Sequence, residues 1–306
     1  MIIRALAVAA ALLGAGTGGP ALAEPMQLLG WGRIFSNDGL GDGQDRWRTG
    51  AYTVSLLRGR GWSGDLPPAL GELLEFRARA EIIAPGNLSR PAAGDRRYAG
   101  VLSFGLHSHA RLASFDTSLG LDLAFTGPQT GLDDFQRAMH DLLGAAAPQA
   151  ASGQIGDAVH PTLLAEIGRS LPLGTAAELR PFVEAQAGLE TYLRLGADLT
   201  LGRYGQGALM LREATTGQRY RALADDPSPG FTLVLGGDIA HVWDSALLPG
   251  GEAAVLKDSR SRLRAGLAWQ GRGGASGFYG LSWLSEEFEG QTEGQLVGSL
   301  SLALIF

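Results

Sequence analysis

Apolar and polar residues alternate over several long segments of the chain. In the segment ELLEFRARAEII, every second residue from Leu74 to Ile82 is apolar, and the residues between them are charged. The same period of two residues recurs within 113–126, 190–203 and 294–306. A period of two predicts β-strands that have one apolar face and one polar face. The pattern therefore predicts an all-β protein built from amphipathic strands.

The number and length of these segments suit a closed barrel. We predict about twelve strands, each long enough to cross a bilayer at a tilt. Their expected positions are 28–36, 48–58, 72–83, 98–109, 113–126, 160–171, 177–188, 190–203, 230–243, 260–271, 275–287 and 294–306. In a soluble β-sandwich the apolar faces meet in a core, whereas in an outer-membrane barrel they face lipid and the polar faces line the lumen.

Features at the two ends of the chain favour the barrel over the sandwich. Residues 1–23 contain a short apolar run and end in Ala21-Leu22-Ala23, which is typical of a cleaved signal peptide. The last predicted strand ends in an aromatic residue, Phe306. Tryptophans near segment ends match the aromatic girdles of such barrels, namely Trp31, Trp243, Trp269 and Trp283. We therefore predict a signal peptide at 1–23 and an antiparallel transmembrane β-barrel at 24–306.

The composition agrees with an exported protein. The 306 residues include no cysteine, so the fold needs no disulfide, and the net charge of -6 offers no basic surface to nucleic acid. We expect an outer-membrane protein of a Gram-negative cell. We also expect a monomer, because a closed barrel leaves no edge strand that demands a partner.

An even number of strands places both termini in the periplasm, and successive connections then alternate between the two sides. The connections expected outside the cell are 37–47, 84–97, 127–159, 189, 244–259 and 288–293. The segment 204–229 is predicted to be a long periplasmic connection, although Ala208 to Leu211 has the pattern of a strand. The prediction of twelve strands fails if this segment crosses the membrane.

One segment, GPQTGLDDFQRAMHDLLG at 127–144, is predicted to form a short helix in an extracellular loop. Thr130 is the predicted N-cap, acidic residues occupy the first turn, and Gly144 ends the helix. Gln136 and His140 are four residues apart and therefore share one face. An amide and an imidazole side by side on a helix among strands indicate a functional site.

Three motifs occur in order in the predicted outer loops: SND…DRWRTG from Ser36, GDRRYAG from Gly94 and GPQTGLDDFQRAMH from Gly127. Together they resemble the outer-membrane lipid A 3′-O-deacylase family. The resemblance implies a twelve-stranded barrel with a calcium-dependent ester hydrolase site at its extracellular mouth. The positions that match the family's active site are Asn37, Asp38, Thr49, Gln136 and His140. The arginines that match positions near the substrate phosphate are Arg90, Arg96 and Arg97.

The chain departs from the family pattern at one position. One enzyme type of the family has a glutamate six residues after the histidine, and this chain has Ala146 there. The carboxylates that could replace it are Asp141, Asp157 and Glu166. Among the other histidines, His160 is the reserve candidate for the site, whereas His107 and His109 are predicted to be interfacial polar residues.

The matched residue types can hydrolyse an acyl ester. His140 is the natural general base for drawing a proton from water. Asn37 and Asp38 offer hard oxygen ligands for Ca²⁺, which could polarise the ester carbonyl. Gln136 can orient the water or the substrate, and Thr49 can join the same network or act as the nucleophile. We favour activated water, because the sequence has no nucleophile motif.

The expected function is hydrolysis of an ester-linked acyl chain of lipid A, the 3′-acyloxyacyl group, in the outer leaflet, by a site that faces outside. The expected partners are lipid A or lipopolysaccharide and other outer-membrane lipids. The three arginines could bind lipid A phosphate or any anionic headgroup. Two alternatives stay open: an outer-membrane esterase or phospholipase that acts on another lipid, and a catalytically silent barrel with a structural or transport role.

Overall fold

A computed structural model describes residues 25–144, 148–225 and 228–303. The predicted signal peptide, Ala146 and Phe306 lie outside these ranges. The strands are β1 Gln27–Asn37, β2 Trp47–Gly59, β3 Leu73–Ala84, β4 Ala99–Leu112, β5 Phe115–Thr126, β6 Ala158–Gly168, β7 Leu171–Gly174, β8 Ala177–Ala187, β9 Glu190–Leu201, β10 Ala208–Arg212, β11 Arg219–Ala224, β12 Gly230–Ser245, β13 Ser259–Gln270, β14 Ser276–Leu284 and β15 Gln295–Ala303. The described helices are α1, Leu132–Leu143, and three short 3₁₀ turns at Asp38–Leu40, Pro128–Thr130 and Gln149–Gly153.

The long strands form one closed antiparallel barrel. Each of them pairs with its sequence neighbours, except that β6 pairs with β8 and β9 pairs with β12. The barrel closes where β1 pairs with β15, with Phe35 opposite Leu300. Short β7 only extends the edge of β8, and β10 and β11 form a separate sheet. The wall therefore has twelve strands, which confirms the predicted fold class.

The two faces of the wall differ as the alternation predicts. Apolar residues such as Leu121 and Leu195 point outward and are about half exposed, at 48% and 53%. Charged residues on the opposite face, such as Glu75 and Glu81, are fully buried in the lumen. The apolar face of these strands is therefore the outer face of the barrel.

The connections differ at the two ends of the barrel. One end, here called the loop end, carries the segments 38–46, 85–98, 127–157, 188–189, 246–258 and 285–294. The opposite end, here called the turn end, carries 60–72, 113–114, 169–176, 202–229 and 271–275. The motif-bearing segments all lie at the loop end, as the strand count predicts.

The hairpin β10–β11 folds into the lumen from the turn end. The Oη of Tyr220 lies 2.8 Å from the Oγ of Ser55, on the inner face of β2. Thr215, near the tip of the hairpin, donates its hydroxyl to Glu81 at 2.8 Å. The prediction that 204–229 connects two wall strands is correct, since β9 and β12 pair directly. The prediction missed that this connection returns into the barrel and fills it.

The prediction for two histidines of β4 is wrong. His107 Nε2 lies 2.7 Å from Asp122, and His109 Nε2 lies 2.8 Å from Glu75, so both rings are buried in the lumen. The reason is the alternation of β4, which turns its odd-numbered residues inward at this height. These histidines are part of the charged filling of the barrel.

Helix α1 crosses the loop end beside the end of β3 and the start of β4. Its first turn is acidic and its C-terminus ends at Gly144 in the left-handed conformation, as predicted. The N-cap is Gly131 rather than Thr130, because Pro128–Thr130 forms a 3₁₀ turn and Thr130 Oγ1 donates to the carbonyl of Gly127. In the described part of the chain, no helix is long and apolar enough to cross a membrane.

The contact between β1 and the hairpin can be tested at Gly32. A Cβ atom at Gly32 would lie 2.9 Å from the backbone of Ala222, so Gly32→Val must displace the hairpin. We expect this substitution to lower the free energy of unfolding by about 1–3 kcal/mol, the usual range for an overpacked interior. Denaturant unfolding of the barrel in detergent micelles measures this.

Gly237→Val is the matched control. It adds the same side chain to a barrel strand, but a Cβ there first meets the flexible end of Leu263 at 3.2 Å. Equal destabilisation by the two substitutions would mean that the hairpin does not pack against β1.

Candidate active site

The loop 38–46 is shaped by Asn37, the last residue of β1. Its Oδ1 accepts a hydrogen bond from Gly39 N at 2.7 Å, and its Nδ2 donates to the carbonyl of Thr49 at 2.8 Å. The side chain thereby joins the end of β1 to the start of β2. Asn37 and Thr49, which the sequence places twelve residues apart, are direct neighbours in the structure.

Asp38 is a buried carboxyl group in this loop. It is only 2% exposed, and its Oδ2 accepts a hydrogen bond from Arg46 N at 2.7 Å. Burial raises the pKa of Asp38 to about 7, helped by the negative charges of Asp45 and Asp42 and opposed by the Arg46 hydrogen bond. The loop therefore holds three carboxyl groups close together, those of Asp38, Asp42 and Asp45.

Asp45 connects the loop to the helix, and sequence reasoning missed it. Thr49 Oγ1 donates to Asp45 Oδ1 at 2.7 Å, and His140 Nε2 lies 3.1 Å from Asp45 Oδ2. Asp38 Oδ1 lies 3.4 Å from the same Thr49 oxygen. The backbone of Asp45 is in the left-handed region, at φ 52°, which is uncommon for a non-glycine residue and often marks functional positions. The signal in the sequence was only an acid four residues before Thr49.

Helix α1 brings Gln136 and His140 to this loop. The His140 side chain is 12% exposed, and Gln136 is buried. Among the described residues, Gln136 Oε1 has no hydrogen-bond partner. Leu132, one turn before Gln136, packs beside Gly100 at the start of β4 and fixes the beginning of the helix. Gln136 and His140 thus share one helix face, as predicted, and both polar side chains are turned inward.

Three apolar side chains of α1 are turned the other way. Phe135, Leu142 and Leu143 are 57%, 77% and 73% exposed. These three side chains form an apolar face that the described part of the structure leaves uncovered. Apolar surface of this kind next to a polar site marks a place for a lipid or another apolar partner.

The carboxylates considered as replacements for the missing glutamate lie elsewhere. Glu166 pairs with arginines in the lumen, Asp157 accepts from Gln129 N at 2.8 Å, and Asp141 is exposed on α1. The reserve histidine, His160, lies 3.3 Å from Thr126 Oγ1. The carboxylate that contacts His140 is Asp45.

The three candidate phosphate-binding arginines have different surroundings. Arg96 is fully buried and pairs with Glu287 at 2.5 Å. Arg97 is about half exposed and pairs with Glu252 at 2.9 Å. The Arg90 side chain is exposed at the loop end. The geometry thus separates one internal arginine from two that can reach a ligand.

Beneath the loop lies a group of buried ion pairs centred on Arg48, the residue before Thr49. Its guanidinium contacts Glu287 at 2.8 Å, Glu81 at 3.0 Å and Glu190 at 3.3 Å. Arg260 also binds Glu190, at 2.8 Å. These pairs make a rigid base for the start of β2 and hence for Thr49.

The donor atoms of loop 38–46 suit a hard cation such as Ca²⁺. The loop carries the carboxylates of Asp38, Asp42 and Asp45, and Asn37 adds an amide oxygen. Burial is the main cause of the raised pKa of Asp38, and the negative charges of Asp45 and Asp42, which a cation would offset, raise it further. Across the residues that the structure describes, no three His, Cys, Asp or Glu side chains converge as a complete metal site. A bound ion would therefore also need backbone carbonyl and water oxygens.

The fold and the site together define a class of protein. The chain is a closed antiparallel barrel of the outer-membrane type, with a charged lumen and a histidine–aspartate pair at the end that carries the long loops. The sequence model of one family, described as outer membrane protein LpxR, matches residues 5–306. The chain belongs to this LpxR family.

Comparison with solved structures agrees on the fold. LpxR from Salmonella typhimurium is 21% identical, with a TM-score of 0.73, and the alignment covers 90% of this chain and 100% of that one. The β domain of the Bordetella autotransporter BrkA is 12% identical with a TM-score of 0.39, covering 90% and 98% of the two chains. The second likeness is too distant to carry an argument. No curated protein sequence matches this chain.

The buried Asp38 predicts a pH dependence of stability. In the folded protein the pKa of Asp38 is about 7, against an ordinary value of 3.8. Between these two pH values the folded state keeps a proton that the unfolded state has lost. In chelator, the stability of the wild type should therefore fall as pH rises from 3.8 to about 7. Asp38→Asn should melt at a higher temperature than the wild type at pH 8, with no difference near pH 4. Thermal unfolding of both proteins at pH values across this range measures the difference in melting temperature.

Asp141→Asn is the control, because this carboxyl group is exposed on α1 and should leave the pH profile unchanged. A profile of Asp38→Asn parallel to that of the wild type would contradict the raised pKa.

Proposed function

We propose that this chain hydrolyses an ester-linked acyl chain of lipid A, the 3′-acyloxyacyl group, in the outer leaflet of the outer membrane. The observation that carries the proposal is the connected row Thr49–Asp45–His140, which joins loop 38–46 to α1. Membership of the LpxR family supports the membrane and the lipid A substrate. A base held by a carboxylate, at the rim of a barrel, suits hydrolysis of a lipid ester.

His140 acts as the general base. Its Nε2 lies 3.1 Å from Asp45 Oδ2, so the Asp45 carboxylate holds the imidazole ring in place and favours its positive form once it has taken a proton. The imidazole takes a proton from water as the water oxygen bonds to the ester carbonyl carbon. When the carbon–oxygen ester bond breaks, the imidazolium returns the proton to the departing alkoxide. The products are a free fatty acid and an alcohol on the sugar.

Thr49 acts as a positioning residue in this scheme. Its hydroxyl donates to Asp45 rather than to His140, so the nucleophile–base contact of a covalent mechanism is absent from the described site. The hydroxyl fixes the orientation of the Asp45 carboxylate. Activated water is therefore the better-supported nucleophile, in line with the expectation from the sequence.

Asn37 and Asp38 are the proposed ligands of Ca²⁺, and Asp45 and Asp42 add negative charge beside them. When bound, the ion supplies positive charge near the oxygen that becomes the oxyanion. Gln136, buried one turn before His140, carries two amide N–H donors that can orient the ester.

The substrate contacts follow from the exposed side chains. In barrels of this type the longer loops face outside, so the site meets the outer leaflet. The apolar side chains of Phe135, Leu142 and Leu143 offer a surface for acyl chains. Arg90 and Arg97 are placed to bind lipid A phosphate. Arg96 supports the same loop from inside, through Glu287.

The proposal is tested by mass spectrometry of lipid A from cells that express the chain. We expect loss of one acyloxyacyl unit, abolished by His140→Ala and reduced by a calcium chelator. Loss of a general base typically lowers the rate about 100-fold or more, so the product should fall below detection. His160→Ala, a second histidine near the loop end, is the control and should leave the product unchanged.

Unmodified lipid A in cells that contain correctly folded wild-type barrel would contradict the proposal. Release of acyl chains from phospholipids instead would favour the esterase or phospholipase alternative. Absence of both products would favour a silent barrel.

A further inference from the structure

A large cavity lies inside the barrel, at the turn end and away from His140. It has a volume of about 410 Å³ and lies between the lumen hairpin and the inner face of the wall. Its lining includes the turns at 64–66 and 202–208, so the cavity reaches the turn end of the barrel. Arg180 of β8, Arg212 of β10 and Arg219 of β11 all contribute to this lining.

A continuous network of ion pairs surrounds the inner part of this cavity. Within it, five arginines share four carboxylates at N–O distances of 4.0 Å or less. The arginines are Arg180, Arg194, Arg212, Arg262 and Arg264, and the carboxylates are Glu166, Glu184, Asp198 and Asp238. The network therefore has one more cation than anion, in a region largely removed from bulk water.

Arg219 lines the same cavity and has no ion-pair partner among the described residues. It lies directly opposite Arg212 in the β10–β11 hairpin, an arrangement of like charges that destabilises a strand pair. Arg180 is also close enough to repel it. Its guanidinium donates only to the carbonyl of Met210, at 3.4 Å, and no carboxylate of the described residues lies within 4.0 Å.

Arg180 also has unused hydrogen-bonding capacity. The residue is only 5% exposed, and its Nη1 binds Glu166 at 2.7 Å. Its Nε has no hydrogen-bond partner among the described residues. Glu178 lines the same cavity but pairs with none of these arginines. Buried polar groups without partners are costly, so an arginine left in this condition points to a missing anion.

We propose that Arg180, Arg212 and Arg219 bind a small oxyanion in the turn-end cavity, and that a phosphate group fits best. Arg219 has no carboxylate partner and Arg180 Nε has no hydrogen-bond partner among the described residues, and guanidinium groups bind phosphate oxygens with paired N–H donors. The volume of 410 Å³ admits such a group together with its waters or with a small organic substituent. The bound anion joins the hairpin, through Arg219, to the barrel wall, through Arg180.

The proposal does not depend on ester hydrolysis, and it is tested on the full-length barrel in detergent micelles. We expect inorganic phosphate, titrated by calorimetry to about 10 mM, to bind saturably and to raise the melting temperature. Chloride at equal ionic strength should do neither. Arg219→Gln should weaken phosphate binding roughly tenfold, since a charge-assisted hydrogen bond is lost.

Arg221→Gln is the matched control on the same strand. Arg221 donates to Gln270 and Ser276 and is not part of the cavity lining, so this variant should bind phosphate as the wild type does. A parallel titration with glycerol 3-phosphate distinguishes free phosphate from a phosphate carried on a lipid headgroup. Tighter binding of glycerol 3-phosphate would support the headgroup as the source.

Absence of saturable phosphate binding to the wild type would overturn the proposal, whatever the behaviour of the variants. Equal binding by Arg219→Gln and the wild type would overturn the assigned site. If Arg219→Gln does not fold, Arg219→Lys keeps the charge but loses the paired donors, and it should still bind phosphate more weakly than the Arg221→Gln control.

Discussion

The buried guanidinium of Arg48 is the interaction on which both the fold and the site depend. It contacts Glu81 of β3, Glu190 of β9 and Glu287 of the loop between β14 and β15. A charge at this depth must be paired, because removal of one partner of a buried ion pair costs about 3–5 kcal/mol. Three distant parts of the chain are thereby held around the first residues of β2. Thr49, the next residue, takes its position from this arrangement.

The lumen hairpin extends the same principle through the barrel. Its tip reaches Glu81, a partner of Arg48, through the Thr215 hydroxyl. The inner face of the wall is charged because the hairpin supplies matching polar groups, while lipid takes the apolar outer face. The interior thus combines an ionic layer beneath the loop end with an apolar cluster and a cavity nearer the turn end. Such a layer gives the loop end a firm support, on which loop 38–46 and α1 can meet.

The sequence predicted much of this architecture, for physical reasons. A period of two with one apolar face is local information, so the strands, the closed barrel and the outward apolar face were predictable. Helix α1 was predictable from its acidic first turn and from Gly144. The contact of Asp45 with His140 was not predictable, because it joins residues about a hundred positions apart and depends on how two loops approach each other.

The lumen hairpin escaped prediction for the same reason, whereas the inward orientation of His107 and His109 follows from the local alternation of β4. A strand that folds back into the barrel lumen and a strand in an external connection have the same local sequence pattern. Only the long-range pairing of strands distinguishes the two. The predicted residues Asn37 and Thr49 do lie in direct contact, whereas Arg96 turned out to be internal. The motifs therefore predicted residues that lie together at the loop end, but they did not show that Asp45 is the carboxylate beside His140.

The central claim is that Asp45 and His140 work as one hydrolytic unit across two loops. A double-mutant cycle on the rate of lipid A deacylation tests it most directly, with Asp45→Asn, His140→Gln and both together. If the two residues form a unit, the double variant should be no slower than His140→Gln alone, because Asp45 acts only through the imidazole. Rate losses that multiply in the double variant would contradict the account, since the two side chains would then act independently.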